Sequence, residues 1–75
     1  MEELELREGE EYIKLGQALK KASMVGSGVD AKLVIEDGLV EVNGEVETRR
    51  GKKLYAGDIF SYEGIKFKIV KRINE

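Results

Sequence analysis

The sequence contains no cysteine, no histidine and no proline. Without cysteine there are neither disulfides nor thiolate metal sites, and nothing speaks for an oxidising compartment. Without histidine the chain lacks the commonest general base and the commonest zinc ligand, which removes nucleophilic triads, imidazole acid–base chemistry and nearly all transition-metal chemistry. No enzyme and no cofactor are expected. Apolar runs reach three residues at most, as in Leu33-Val34-Ile35, far short of the roughly 20 needed to cross a membrane. The opening Met1-Glu2-Glu3 has neither the basic nor the apolar region of a signal peptide, so a cytoplasmic location is expected.

What is present is the composition of a folded domain: 75 residues, 41% apolar and 37% charged, punctuated by nine single glycines. A chain of this length has material for one core, and no proline-rich or serine-rich linker or internal repeat divides it, so residues 1–75 read as a single domain. Without staples, such a core supplies only about 3–5 kcal/mol.

The net charge of −2 hides a segregation along the chain. Met1 to Glu11 holds six glutamates against one arginine; Tyr12 to Lys32 sums to +3, Leu33 to Glu47 to −5, and Thr48 to Lys53 to +4. Blocks of this kind become faces of opposite sign once the chain folds, so an acidic total does not exclude a polyanionic partner.

Periodicity gives the elements. Glu3-Leu4-Glu5-Leu6-Arg7 alternates as a short strand, and Glu8-Gly9-Glu10 reads as a turn. Ile13, Leu15, Ala18, Leu19 and Ala22 recur at helical spacing, predicting a helix over about residues 15–23 with Lys14, Gln17, Lys20 and Lys21 on its other face. Ser27 with Asp30 three residues on forms a capping box that starts a second helix; Val29, Ala31, Val34 and Ile35 supply its buried side, and Gly38 ends it. The period then changes to two. Val40, Val42 and Val46 are expected on one face and Glu41, Glu45 and Glu47 on the other, around the hairpin signal Asn43-Gly44. After a loop from Thr48 to Lys53, Leu54-Tyr55 leads through the turn Ala56-Gly57-Asp58 to Ile59–Tyr62, which pairs through Glu63-Gly64 with Ile65–Val70. The expected class is α+β, with two short helices packed on one face of a small antiparallel sheet.

Thr48-Arg49-Arg50-Gly51-Lys52-Lys53 places four cations and no anion in six loop residues, where side chains and backbone amides can both reach phosphates. Basic hexamers also serve simply as solvated, solubilising surface. The cations of the first helix, together with Lys32 on the second, leave their apolar neighbours to the sheet and so share an outer surface with this loop.

The run from Ser27 to Gly44, ending Val42-Asn43-Gly44, and the later pair Gly57-Asp58 resemble the RNA-binding domain named after ribosomal protein S4. The length and the segment Gly44 to Leu54 resemble most closely its short stand-alone bacterial members, the YaaA/YbcJ-like proteins. The resemblance covers about residues 12–70. It implies an αL motif, in which two helices and the following hairpin form an L-shaped surface that binds structured RNA, ribosomal or transfer, without catalysis, ribosome assembly being among the roles it allows. It also implies a set of RNA contacts: Lys14, Gln17, Lys20 and Lys21 on the first helix, Ser27 and Lys32 at the second, and Thr48, Arg49, Arg50, Lys52 and Lys53 in the loop. One departure is Gly28, where many members carry arginine; with the second helix reduced to Lys32, the expectation is RNA binding that is either weaker than in the larger members or more dependent on the loop from Arg49 to Lys53.

The other residues read more plainly. Ser27 is suited to capping its helix as well as to touching a phosphate. Glu41, Glu45 and Glu47 at two-residue spacing describe a solvated strand face, so no metal is expected. Tyr12, Tyr55, Phe60 and Tyr62 are of the type that stacks on bases in single-strand binders, but small domains use aromatics mainly as core and rim, which leaves Tyr55, beside the basic loop, as the one stacking candidate. With no apolar face left over, a monomer is expected. The alternative function is a small protein-interaction adaptor of ubiquitin-like or other β-rich fold; sulfur carriers of that type end in Gly-Gly, whereas this sequence ends Ile73-Asn74-Glu75.

Overall fold

The computed structural model describes residues 1–72. In chain order the elements are β1 (Glu2–Glu5), β2 (Tyr12–Lys14), α1 (Leu15–Lys21), α2 (Gly28–Glu36), β3 (Val40–Val42), β4 (Glu45–Val46), β5 (Lys53–Tyr55), β6 (Ile59–Tyr62) and β7 (Ile65–Val70). Five strands form one sheet in the order β1-β7-β6-β3-β4, and β2 pairs with β5 in a separate two-stranded ribbon.

Both helices cover the same face of the larger sheet. Leu15, Ala18 and Leu19 of α1 and Ala31 and Ile35 of α2 are fully buried, in one core with Val40, Val42, Phe60, Phe67 and Ile69. Phe60 and Phe67 stand opposite each other on β6 and β7 and stack with centroids 5.6 Å apart. The other face of the sheet carries Glu3, Lys66, Lys68, Ser61 and Glu41, which the register places one residue away from these core positions.

The punctuation residues act as their chemistry requires. Asn43 and Gly44 take φ of 53° and 85°, the two positive values of a type I′ turn. Ser27 Oγ accepts the Asp30 backbone N–H at 3.2 Å, capping α2. At the far end Gly38, at φ 77°, sends its N–H to Ile35 O while Leu39 N–H reaches Val34 O, closing a Schellman motif. The first helix ends the same way with a serine in the glycine's place: Ser23 sits at φ 59°, with Ser23 N–H on Lys20 O and Met24 N–H on Leu19 O. That motif stops α1 at Lys21, two residues before the expected end.

The fold class stands, with two corrections of detail in the strands. The sheet is mixed, because β1 runs parallel to β7, pairing Leu4 with Ile69. The whole chain between them forms the connection, so no hairpin dictates their direction, and burial of Leu4 and Leu6 fixes the edge position. Val46 does not share a face with Val40 and Val42. A two-residue turn pairs Val42 with Glu45 and therefore Glu41 with Val46, and directly opposed residues lie on one face, so Val46 points outward at 59% exposure. On α2, Val29 is 67% exposed and outside the core, since the helix turns Ala31 and Ile35 inward and leaves Val29 and Leu33 on the far side.

Candidate nucleic-acid interface

The candidate interface is built around the N-terminus of α1. An α-helix begins with backbone N–H groups that have no partner inside the helix, and Lys14, at the N-cap, offers no side-chain acceptor. The basic loop supplies the acceptors: Leu15 N–H donates to Lys52 O at 2.8 Å and Gly16 N–H to Arg50 O at 3.1 Å. The loop is thereby fastened across the helix start, closed on itself by Lys52 N–H to Arg49 O at 3.2 Å. Gly16 makes the approach possible, because a Cβ at that position would lie 2.6 Å from Arg50 Cγ.

Fastening the loop to α1 opens a concavity of about 370 Å³ lined by Lys14, Gly16, Gln17 and Lys20 on one side, Gly28 and Ala31 of α2 on another, and Arg50 and Gly51 of the loop. Its lining includes three cations and no carboxylate. Gly28 leaves open space at its rim, with no atom within 4 Å of where a Cβ would stand. Such a hollow suits a sugar–phosphate backbone, which needs concavity, positive charge and polar donors together.

The remaining expected contact residues are distributed around this centre. Ser27 caps α2 immediately before Gly28. Lys32 is exposed on α2 outside the concavity, and Thr48 is exposed at the start of the loop. Lys52 is partly buried against the helix through its carbonyl. Lys14 and Lys53 belong to strands rather than to α1 and the loop, facing each other across the ribbon; three-residue strands are too short for periodicity to reveal. Lys21 turns away, its Nζ donating to Glu5 O at 2.6 Å on the edge of β1.

Arg49 is engaged with Glu47, which alternation alone assigns to a solvated strand face. Its Nε and Nη2 each donate to a carboxylate oxygen of Glu47 at 3.0 Å, and its backbone N–H reaches Glu47 Oε2 at 3.0 Å. The hydrogen bond from the Arg49 side chain, reinforced by its backbone N–H and by the positive charges of Arg49 and Lys52, holds the Glu47 carboxyl at about 2 against the opposing effect of partial burial. The pair neutralises one loop cation and props the loop's first turn. Neither Gly16 nor Glu47 is expected at the interface from sequence. A glycine inside an amphipathic helix is the available signal for the first; for the second, the two-residue separation from Arg49 is the only one.

Beyond the strands that flank the loop, Asn43 of the β3–β4 turn and Asp58 of the β5–β6 turn meet. Asn43 Nδ2 donates to Asp58 Oδ1 at 3.2 Å, Asn43 Oδ1 accepts Ile59 N–H at 2.9 Å, and Asp58 Oδ2 accepts Tyr55 N–H at 2.7 Å. The Val-Asn-Gly and Gly-Asp segments are therefore two halves of one hydrogen-bonded clasp that ties the β3–β4 turn to the β5–β6 turn. A family model described as S4 domain matches residues 4–70. The chain belongs to the S4 domain family.

Among similar S4 proteins, the "Probable ribosome maturation protein RlbA" of Bacillus subtilis (strain 168) is 48% identical over 54 residues, 72% of this chain and 76% of that protein. The "Putative RNA-binding protein YbcJ" of Escherichia coli (strain K12) is 37% identical over 59 residues, 79% of this chain and 84% of that one. The solution structure of E. coli YbcJ, described as revealing an αL motif involved in RNA-binding, superposes with a TM-score of 0.70 at 34% identity, covering 93% of this chain and 87% of that one. The fold is thus that αL fold and not a ubiquitin-like one, and neither relative is named for a catalytic activity.

Proposed function

We propose that this S4 domain is a non-catalytic module that binds structured RNA, ribosomal RNA first among the candidates, in the course of ribosome maturation in the cytoplasm. The observation that carries the reading is the concavity in which Lys14, Lys20 and Arg50 converge without an acidic neighbour in its lining. The names of the relatives, one for ribosome maturation and one for RNA binding, agree with it.

The mechanism follows from what the surface offers. Its cations and amides address phosphates and sugar hydroxyls, so recognition is by the shape of a folded RNA backbone rather than by base sequence. The second helix contributes no cation beyond Lys32, set against Asp30 and Glu36, which leaves α1 and the loop as the main contacts. The domain acts as a monomer that presents this face, with Glu10 and Glu11 of the acidic N-terminal segment at its border beside Lys14 and Gln17. Titrating the protein onto a folded ribosomal RNA fragment across a salt series tests the reading: contact with about four phosphates gives a log–log slope of roughly −3. Affinity independent of salt between low and moderate concentration overturns it.

A further inference from the structure

The ribbon of β2 and β5 has two faces, of which the core uses one. Ile13 and Leu54 stand opposite each other and are buried at 6% and 0% exposure. Strand alternation puts Tyr12, Lys14, Lys53 and Tyr55 together on the other face. There Tyr12 opposes Tyr55, with ring centroids 5.8 Å apart and planes tilted by 54°, and Lys14 opposes Lys53, whose Nζ lies 4.8 Å from the Tyr12 ring centroid.

Two features of this face are unfavourable for the domain alone. Like charges directly opposite in an antiparallel pair repel, and among the described residues neither Lys14 nor Lys53 forms an ion pair with a carboxylate. Tyr55 keeps 48% of its surface exposed beside them. A ligand that is both anionic and aromatic relieves both: phosphate between the lysines, and a flat ring over the tyrosine. The face also continues into the concavity, since Lys14 and Gln17 line both the hollow beneath Arg50 and the groove that runs past Tyr12, whose lining also includes Glu10 and Glu11.

We propose that this ribbon face binds one unpaired nucleotide of the RNA, its base stacked on Tyr55 and its flanking phosphates held by Lys14 and Lys53. The proposal rests on the RNA-binding reading above and narrows the substrate to a folded RNA that carries an unpaired residue next to the helix lying in the concavity. Stacking of a base on an aromatic ring tolerates any sequence, so the selected feature is an unstacked base rather than a particular one.

The test uses the full chain and two RNA hairpins with the same stem, one fully paired and one with a single bulged 2-aminopurine, whose fluorescence reports stacking. The wild-type protein is expected to bind the bulged hairpin about tenfold more tightly than the paired one and to quench the probe. Tyr55→Ala removes both the preference and the quenching while leaving affinity for the paired hairpin unchanged; Tyr55→Phe keeps both, and melting curves establish that each variant is folded. Equal binding of the two hairpins by the wild-type protein, or quenching that survives Tyr55→Ala, overturns this proposal and leaves the cationic surface standing. Failure to bind either hairpin at low salt overturns the RNA-binding reading and the proposal with it.

Discussion

Gly16 and Arg50 are 34 positions apart in sequence, yet Gly16 N–H donates to Arg50 O at 3.1 Å and the Arg50 side chain passes where a Cβ on Gly16 would be, 2.6 Å from Cγ. The contact couples a structural need, acceptors for the start of α1, to a functional one, a fixed position for a loop cation. A loop tied down by its carbonyls leaves the Arg50 side chain over the concavity, where an external ligand can meet it.

Gly16→Ala separates these two roles. The added methyl group favours the helix by about 1 kcal/mol, and pushing the Arg50 stem aside costs a similar amount, so thermal stability is expected to change little. Affinity for a structured RNA is expected to fall several-fold because Arg50 no longer lies over the concavity. Calorimetric melting and an RNA titration on the same sample distinguish the two effects.

Gly28→Arg is expected to strengthen binding. Position 28 lies in the first turn of α2 at the rim of the concavity, has open space where a side chain would leave the backbone, and does not need a positive φ. One additional phosphate contact steepens the log–log salt slope by about 0.7–0.9. A salt series with this variant and the wild-type protein measures it; an unchanged slope places the side chain away from the RNA.

Stability at low pH reports the Glu47–Arg49 pair. The folded-state carboxyl titrates at about 2, below its ordinary value of 4.5, so the folded state binds fewer protons there than the unfolded state. Its contribution is fully present above pH 4.5 and is lost as pH falls from there towards 2. Denaturation of wild type and Glu47→Gln across this range is expected to show a stability difference that shrinks steadily on acidification, and a difference independent of pH argues against the pair.

The parts of this architecture legible in the sequence are those set by local chemistry. Asn43-Gly44, Gly38 and Ser27 each have one conformation or hydrogen bond that suits them, and each takes it. The parts that were not legible depend on partners distant in sequence. Val46 faces outward because the turn fixes pairing parity, which a run of alternating valines does not reveal. The parallel pairing of β1 with β7 joins the two ends of the described chain. Lys14 and Lys53, and with them the two tyrosines, come together only because the ribbon forms, and its buried pair joins Ile13, which the sequence groups with the helical pattern, to Leu54, which it leaves between a loop and a turn. For the candidate interface, charge segregation singled out segments of which Lys14, Lys20 and Arg50 line one concavity, while the pairing of Arg49 with Glu47 and the contact of Lys21 with Glu5 depend on neighbours that composition does not reveal.

The most direct measurement of the central claim compares two charge reversals on one ribosomal RNA fragment. Lys20→Glu with Arg50→Glu places two anions in the concavity; Lys66→Glu with Lys68→Glu makes the same change in net charge on the sheet face opposite the helices. Both pairs are exposed, so stability should move by no more than about 0.5 kcal/mol per site. The first pair is expected nearly to abolish binding and to flatten its salt dependence, while the second weakens it only modestly through the long-range field. Equal loss of affinity in the two double variants would contradict the concavity as the binding surface.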